Sequence, residues 1–249
     1  MKKKHLYDKR FYNEQRVGSF RSAKVILSLV LNAIKPRSVV DVGCGLGTWL
    51  SICHAAGIED YLGIDGADIP KSMLYIEESH FLQADLSKPL EVGRVFDLAL
   101  SVEVAEHIPK DYENVYIDSL VQLAPVILFS AAIPYQGGVG HINEQWQDYW
   151  IGLFSQREYS PIDFIRKQVW DNKDVSWWYS QNCFLFIANK HLSDFSASVA
   201  NPARNMPIRV VHPLLYEGVA APQRMALKRA IRAFPFGVSR VFKKILGIK

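Results

Sequence analysis

The sequence has little cysteine, no long apolar run and no internal repeat. Three cysteines among 249 residues, Cys44, Cys53 and Cys183, form no C-x-x-C pair, which excludes a disulfide framework and a cysteine-based zinc site. The most apolar stretches, Ala23–Ile34 and Leu123–Pro134, are shorter than the roughly 20 residues of a membrane-spanning helix. The basic start MKKKHLYDKRFYNEQ lacks the apolar region of a signal peptide. We therefore expect a cytoplasmic protein.

Charge is unevenly distributed along the chain, although its net value of +4 is ordinary. Residues 201–249 hold ten Lys or Arg and one acid, Glu217, for a net charge of +9. The first 200 residues hold 19 basic and 24 acidic residues, for a net charge of −5. Ser193–Pro207 is rich in Ser, Asn and Pro, which is typical of a linker. We predict an N-terminal helical segment at 1–36, a main domain at 37–192, and a linker with a basic tail at 193–249.

Short β-branched runs alternate with helical periodicity in the first 190 residues, and the apolar period of Ser22–Ile34 predicts a helix. Strands are predicted at Ser38–Val42, Tyr61–Asp65, His80–Ala84, Phe96–Val102 and Val126–Ala132, helices at Gly47–Ala56 and Lys110–Leu123, and two edge strands at Ile162–Ile165 and Cys183–Ala188. Continuously apolar strands such as VILFSAA indicate burial on both faces, as in a parallel sheet. The alternation predicts a doubly wound α/β fold.

The most specific motif is VVDVGCGLGTW, residues 39–49, in which a strand leads into Asp41 and three alternating glycines, Gly43, Gly45 and Gly47. Residues without a Cβ let the backbone turn sharply against a ligand, and the next helix offers free N–H groups. A dinucleotide loop requires G-x-G-x-x-G. In the two possible registers, the position of the third glycine is occupied by Thr48 or by a leucine. The turn is therefore predicted to bind a different nucleotide-like ligand.

Two acids end the next two predicted strands. Asp65 lies twenty residues after Gly45, where a carboxylate can accept both hydroxyls of a ribose. Asp85 lies twenty residues further, placed to accept a hydrogen bond from an adenine amino group. The glycine turn followed by acids at successive strand ends is much more specific than the turn alone.

Over about residues 37–190, these motifs resemble the class I S-adenosylmethionine-dependent methyltransferases. The resemblance implies a Rossmann-like, mostly parallel seven-stranded sheet with its last strand antiparallel, and S-adenosylmethionine lying over the glycine turn. It implies that Asp65 holds the ribose, that Asp85 holds the adenine, and that Asp41 lies near the amino-acid part. The implied cofactor-binding set is Asp41, Gly43, Gly45, Gly47, Trp49, Asp65, Asp85, Leu86 and Glu103. The alternative is a structural βα turn with incidental acids.

The fourth predicted strand ends in SVEVAEHIP, residues 101–109, where the methyl acceptor is expected. An aliphatic hydroxyl is a poor nucleophile and needs a base or a metal to help remove its proton. His107 could be the base, or a divalent ion could be held by Glu103, Glu106, His107 and His141. Carboxylates suit Mg²⁺, and two imidazoles shift the preference towards Mn²⁺. The alternative is that the acids complement a helix N-terminus and His107 packs in the core.

The E-x-x-E-H segment resembles that of small-RNA 3′-terminal 2′-O-methyltransferases, in which this segment and a later histidine bind metal. Its E-H portion also resembles ubiquinone-biosynthesis O-methyltransferases. The resemblance implies a catalytic set of Glu106, His107 and His141.

Two further segments resemble those of bacterial methyltransferases from surface-glycan and secondary-metabolite genes. SAAIPYQGGVGHINEQWQDYW predicts either an acceptor lid or a surface loop, followed by a helix at Asn143–Phe154. The lid would carry Tyr135, His141, Asn143, Glu144 and Gln145. The aromatic residues of WWYSQN, residues 177–182, are predicted to lie in the core.

The basic tail carries amphipathic periodicity at Met225–Phe234 and Val238–Leu246. Large apolar residues opposite Lys and Arg favour contact of residues 223–249 with an anionic membrane, at its inner face. A solvated extension and nucleic-acid binding are the alternatives.

The sequence predicts an S-adenosylmethionine-dependent O-methyltransferase acting on a hydroxyl of a sugar, glycan or related small molecule, with or without a divalent metal. The first alternative is an RNA ribose 2′-O-methyltransferase, which the E-x-x-E-H pattern favours and the acidic main domain disfavours. The second alternative is a non-catalytic adaptor that retains the cofactor fold.

Overall fold

A computed structural model describes residues 9–196, Val199 and 207–220. These residues fall into two compact units, the first ending at Val210 and the second beginning at Val211. The second unit contains one described helix, Pro213–Ala220. The first unit is built on a single sheet with helices on its faces.

The strands are β1 (Ser38–Val42), β2 (Asp60–Asp65), β3 (Phe81–Gln83), β4 (Leu98–Val102), β5 (Val126–Ser130), β6 (Tyr159–Ile162) and β7 (Phe184–Ala188). The helices are α1 (Lys9–Ile34), α2 (Thr48–Ala55), α3 (Glu113–Leu123), α4 (Gln147–Ser155), α5 (Arg166–Val169), α6 (Trp177–Asn182) and α7 (Pro213–Ala220). Short 3₁₀ helices fill several connections, and one of them, Ala105–His107, directly follows β4.

The seven strands lie in the order β3-β2-β1-β4-β5-β7-β6. β1 to β5 run parallel to one another, and β7 runs antiparallel between β5 and β6. Every residue of β1, β5 and β7 is buried, because helices cover both faces of the sheet. This confirms the predicted doubly wound, mostly parallel, seven-stranded fold with its last strand antiparallel.

Two hydrophobic clusters form the core, and helix α1 belongs to one of them. Ala23, Ile26, Leu27 and Val30 of α1 are completely buried in the cluster that also contains Trp49 of α2. Tyr116 and Ile117 of α3 and Trp150 and Phe154 of α4 contribute to the other cluster. The N-terminal helix predicted as a separate segment at 1–36 therefore packs within the first compact unit.

Residues 207–210 also belong to the first unit, beyond the boundary predicted at 192/193. The buried Arg166 pairs with Asp163 and donates to the carbonyl oxygen of Ile208 at 3.1 Å. Arg209 makes a two-pronged ion pair with Asp148, at 2.8 and 2.7 Å. These contacts tie the end of the predicted linker to α4 and α5.

Several element boundaries differ from the sequence prediction. The sixth strand occupies Tyr159–Ile162 and not the predicted Ile162–Ile165; it contains Pro161, which an edge strand tolerates because one side of it needs no ladder donor. Helix α1 begins at Lys9, well before the predicted Ser22, through a polar stretch rich in helix-forming residues. Helix α4 begins at Gln147 and not at Asn143.

Helix α7 was not predicted, and α6 was predicted only as the approach to the last strand. The amphipathic helices predicted at Met225–Phe234 and Val238–Leu246 lie outside the described residues. No helix within the described ranges combines the length and the hydropathy that crossing a membrane requires.

Candidate functional site

The glycine turn after β1 adopts backbone conformations that favour glycine. The φ angles of Gly43, Gly45 and Gly47 are 86°, 52° and 79°. A Cβ on Gly43 would lie 2.5 Å from the side chain of Val104, and a Cβ on Gly47 would lie 2.9 Å from Ile76. Backbone strain and direct overlap therefore both exclude side chains from Gly43 and Gly47.

Hydrogen bonds to β2 hold this turn in place. The N–H groups of Gly43 and Cys44 both donate to the carbonyl oxygen of Ile64, at 2.7 and 3.1 Å. One carboxylate oxygen of Asp65 accepts from the N–H of Gly45 at 2.7 Å, and the other accepts from Ala67 at 2.8 Å. A carboxylate has about four acceptor positions, so Asp65 keeps room for two ligand hydroxyls. The structure thus joins the predicted ribose acid to the turn.

Asp41 is buried at the end of β1, directly before the turn. Burial raises the pKa of this carboxyl to about 8, and the charge of Asp65 adds to the effect. A cationic group bound nearby would favour the ionised form of Asp41. The amino-acid part of S-adenosylmethionine, predicted to lie near Asp41, carries such a group.

Asp85 and Leu86 follow β3, as predicted. Asp85 is exposed, and one of its oxygens accepts from the N–H and the hydroxyl of Ser87, at 3.0 and 2.6 Å. These bonds lower the pKa of Asp85. Leu86 is partly buried, with its side chain close to Gly66. Trp49 is buried in the core with its ring edge-on to Tyr179, so its contact with a cofactor stays a prediction.

Glu103, the first acid of the E-x-x-E-H segment, has an unusual backbone conformation, with a φ of 56°. Its N–H donates to Ser130, and its two carboxylate oxygens accept from Gln136 at 2.8 Å and from Asn182 at 3.3 Å. Burial raises the pKa of Glu103. Glu103 lies outside the group of three residues whose ligand atoms are close enough together to hold a metal ion, and its predicted role as a fourth ligand stays a prediction.

Those three are Glu106, His107 and His141, whose ligand atoms all lie within 4.8 Å of one another. Nε2 of His141 is 3.9 Å from a carboxylate oxygen of Glu106, and the two imidazole rings lie edge-to-face with centroids 5.0 Å apart. Glu106 is completely buried, and neither of its carboxylate oxygens has a hydrogen-bond partner. The structure therefore brings together the predicted catalytic set.

The electrostatics of this triad follow from its burial. Burial raises the pKa of Glu106 well above its usual range, and the negative charge of Glu103 adds to this effect. Burial also lowers the pKa of His107, and the neighbouring His141 lowers it further. Glu106 and His107 are thus each pushed towards their neutral form in the absence of an oppositely charged partner.

Both histidines of the triad have their Nδ1 atoms engaged. Nδ1 of His107 lies 3.2 Å from the carbonyl oxygen of Gly140, and Nδ1 of His141 lies 3.0 Å from a carboxylate oxygen of Glu144. Carbonyl and carboxylate oxygens only accept, so each contact is a hydrogen bond when Nδ1 carries the proton. In that tautomer of the neutral ring, Nε2 has a lone pair.

His141 lies in a loop between β5 and α4, residues 133–146, which we call the acceptor loop. The N–H groups of Ile142 and Asn143 donate to the carbonyl oxygen of Glu106, at 2.9 and 3.0 Å. The side chain of Asn143 donates to Glu113 of α3 at 3.1 Å and accepts from Gln145 at 2.9 Å. The loop is thereby joined to the E-x-x-E-H segment, and these bonds explain why α4 starts after residue 145.

Sequence reasoning missed Gln136 and Asn182, which complete the surroundings of Glu103. The side-chain oxygen of Gln136 accepts from Asn182 at 2.9 Å, so the two amides and Glu103 form one network. WWYSQN was interpreted only through its aromatic half, and that half does pack as predicted: Tyr179 is buried and Trp178 contacts the core. No local pattern indicated that the polar half of α6 would reach β4.

The comparisons with known proteins agree with this geometry. The fold and its glycine turn define the class I S-adenosylmethionine-dependent methyltransferases. A family model described as a methyltransferase domain matches residues 12–198, and the chain belongs to that family. It is accordingly an enzyme that transfers a methyl group from S-adenosylmethionine, and the adaptor alternative is set aside. No curated protein matches the chain significantly.

Solved structures share the fold at low sequence identity. The sugar N-methyltransferase KedS8 from Streptoalloteichus sp. ATCC 53650 has 13% identity and a TM-score of 0.58, over 75% of this chain and 95% of that one. DesVI from Streptomyces venezuelae has 13% identity and a TM-score of 0.54, over 75% and 99%. The plantazolicin methyltransferase BpumL, solved with S-adenosylhomocysteine, has 15% identity and a TM-score of 0.52, over 72% and 87%.

Proposed function

We propose that this methyltransferase acts on a hydroxyl of a sugar, glycan or related small molecule, assisted by a divalent ion at Glu106, His107 and His141. The observation behind the proposal is a buried carboxylate without a hydrogen-bond partner beside two imidazoles, with ligand atoms of all three groups within 4.8 Å of one another. An amine acceptor brings its own lone pair, whereas a hydroxyl must also lose a proton. The triad therefore suits an oxygen acceptor better than a nitrogen acceptor.

The segment that carries Glu106 and His107 contacts the cofactor turn. Val104, two residues before Glu106, packs so closely on Gly43 that a Cβ there would overlap it. This contact supports a site in which a methyl group carried at the turn and an acceptor held at the triad would lie near each other. Methyl transfer is an in-line displacement, so this placement of the two reactants supplies much of the rate.

The residues of the triad fit a divalent ion. An unpaired buried carboxylate is unfavourable, and a cation would remove that penalty. Histidines that bind metal generally donate their other N–H to a carbonyl or carboxylate, as His107 and His141 do here. The three ligand atoms lie within 4.8 Å of one another, so Glu106, His107 and His141 would hold a divalent ion once their side chains moved inward around it. When bound, such an ion supplies Lewis acidity and orients hydroxyl groups.

The reaction requires little else from the chain. The bond between the methyl carbon and the sulfonium sulfur breaks, with its electron pair left on the departing thioether. The bond to the acceptor oxygen forms, and the hydroxyl proton passes to solvent water when the imidazoles hold an ion. Asp65 and the glycine turn hold the cofactor, while Gly140 and Glu144 hold the imidazoles. In the absence of an ion, Nε2 of His107 is the group that accepts the proton.

A sugar-type acceptor is favoured over RNA by charge. The first 200 residues carry a net −5, which opposes a polyanion whose binding depends on phosphate neutralisation. KedS8 illustrates that a sugar acceptor is compatible with this fold. The spacing Glu103-x-x-Glu106-His107 is the feature that favours an RNA ribose instead. A screen of methyl acceptors decides between a sugar and an RNA.

The screen follows methyl incorporation from labelled S-adenosylmethionine into nucleotide sugars, lipid-linked glycans and RNA, each with Mn²⁺ and with excess chelator. We expect methyl ethers on a glycan-type acceptor, formed with Mn²⁺ and lost in chelator. Full activity in chelator would exclude metal assistance and leave His107 as the base. Methylation of RNA alone, or of amino groups alone, would contradict the proposed acceptor.

We also infer that residues 223–249 contact anionic membranes peripherally, from their basic charge and apolar periodicity. Co-sedimentation with phosphatidylglycerol vesicles tests this for the full chain against a chain ending at residue 222, which keeps the tie at 207–210. Binding by the full chain alone, absent with phosphatidylcholine vesicles, supports the inference. Equal behaviour of the two chains would contradict it.

A further inference from the structure

Glu144 gathers three N–H groups within the acceptor loop. One carboxylate oxygen accepts from the backbone of Tyr135 at 2.8 Å. The other accepts from the backbone of Gly137 at 2.7 Å and from Nδ1 of His141 at 3.0 Å. A single side chain therefore connects the start of the loop to the histidine near its end.

The backbone of Gly138 passes close to the His141 ring. A Cβ on Gly138 would lie 2.1 Å from Nε2 of His141 and 2.3 Å from Cε1, a separation that real atoms do not reach. The His141 side chain is only 12% exposed. The ring thus lies against Gly138, with its Nδ1 fixed by Glu144.

His107 provides an internal contrast. Its Nδ1 is engaged by the backbone carbonyl of Gly140, so no side-chain substitution can remove that acceptor. The same loop therefore orients both imidazoles, one through its backbone and the other through a carboxylate. Only the second arrangement can be switched by changing one residue.

We propose that Glu144 is a positioning residue that holds His141 as the Nδ1–H tautomer, so that the Nε2 lone pair faces Glu106. The use of that lone pair, to bind a divalent ion, rests on the proposed function. The tautomer itself does not, because it follows from the contact between Glu144 and His141 alone.

Glu144→Gln tests this assignment with a side chain of the same shape. Glutamine has one acceptor oxygen. In the wild type, two carboxylate oxygens share the N–H donors of Tyr135, Gly137 and His141. If the oxygen stays near Tyr135, the amide nitrogen faces Nδ1 of His141 and donates to it. Nε2 then carries the proton and loses its lone pair towards Glu106. Glu144→Asp keeps the charge and should retain part of the wild-type tautomer.

The first readout is long-range ¹H–¹⁵N NMR of the seven histidine side chains, at a pH of about 9 where imidazoles are neutral. His141→Ala assigns the signal of interest. We expect the Nδ1–H tautomer for His141 in the wild type, a shift towards Nε2–H in Glu144→Gln, and an unchanged tautomer for His107. The second readout is calorimetric binding of Mn²⁺ alone, whose affinity we expect to fall about 10- to 100-fold in Glu144→Gln.

An Nε2–H tautomer of His141 in the wild type would overturn the proposal, and so would Glu144→Ala with both readouts unchanged, because alanine removes the acceptor whichever way an amide would have turned. Loss of the His107 signal together with that of His141 would also overturn it, because Glu144 would then only order the loop. Absence of Mn²⁺ binding in the wild type would instead refute the metal function and leave the tautomer result standing. Exposed Glu91 provides the matched control, since Glu91→Gln should change neither readout.

Discussion

The glycine turn and the acceptor loop face the same end of the sheet but are built in different ways. The turn is held by backbone groups of β1 and β2, with Asp65 as its main side-chain tie. The acceptor loop is held largely by side chains: Glu144 bonds within the loop, while Gln136 and Asn143 reach Glu103 and Glu113 in other parts of the chain. One region is formed between neighbouring strands, and the other is assembled across the fold.

This difference indicates how the enzyme separates its two tasks. Cofactor binding is common to the family and depends on geometry that a parallel sheet provides. Acceptor chemistry depends on a network of residues that this chain combines in its own way. Damage to the two regions should consequently be separable, which the following predictions test.

The largest effect is expected at Glu106. Glu106→Gln should reduce turnover by on the order of 10³-fold, since base or metal assistance contributes about 10²- to 10⁴-fold. The affinity for S-adenosylmethionine should not change, because the cofactor turn is untouched. Initial rates on the acceptor found by the screen, together with calorimetric cofactor binding, measure the two quantities. A cofactor affinity that falls as far as the rate would mean that the two regions are not separable.

The reciprocal effect is expected at Asp65. Asp65→Ala removes the tie to Gly45 and two potential hydroxyl contacts, and hydrogen bonds to a charged group contribute about 1.5–3 kcal/mol each. The dissociation constant for S-adenosylmethionine should rise at least about 100-fold, while Mn²⁺ binding stays unchanged. Asp68→Ala, on an exposed residue three positions later, is the control. Equal losses in both variants would assign the effect to the surrounding loop.

The same contrast explains what the sequence could predict. β1, β2, β4 and β5 appear within two residues of their predicted ends, and the glycine turn lies next to Asp65. These features depend on contiguous residues whose periodicity and φ requirements are local. The exception is β6, whose position depends on being at the sheet edge, where Pro161 is tolerated.

The acceptor side was predictable only in part. Glu106 and His107 are adjacent in sequence, and His141 follows β5, which pairs with β4, so their convergence follows from the predicted topology. The orientation of the Glu103 side chain does not follow from the topology, because it depends on a φ of 56° and on Asn182, 79 residues away. A contact of that separation leaves no periodic signal in the residues between.

A smaller, pH-dependent effect is expected from Asp41. Its pKa of about 8 lies above the ordinary value of about 3.9, so the group is largely protonated at pH 7. Binding of the cationic cofactor should ionise it and release up to one proton. Affinity should then rise with pH by at most tenfold per unit between about 4 and 8, and level off above. Calorimetry at pH 7 in buffers of different ionisation enthalpy measures the proton.

The free energy of unfolding of the cofactor-free enzyme should change with pH in the opposite direction. The native state binds this proton more tightly than the unfolded chain, so the free energy of unfolding should fall as pH rises from about 4 to about 8. Below that window both states are protonated and the effect vanishes. Asp41→Asn should remove both the proton release and this contribution to the pH slope. Proton release that persists in the variant would show that another group, such as the cofactor's own amine, is responsible.

The smallest effect is expected at Asp85. Its size distinguishes the contribution of Asp85 to cofactor binding from that of Asp65. Asp85 is exposed, and Ser87 already occupies one of its oxygens, so a contact with adenine competes with water. Asp85→Asn should therefore raise the dissociation constant for S-adenosylmethionine only about three- to tenfold, against at least about 100-fold for Asp65→Ala. Adenosine binding should weaken by the same factor, because the affected contact is to the base. Ser87→Ala serves as the control: it frees the carboxylate oxygen while keeping its charge, and should change affinity less than Asp85→Asn does. A loss at Asp85 as large as that at Asp65 would mean that the adenine acid, and not the buried turn, supplies most of the cofactor affinity.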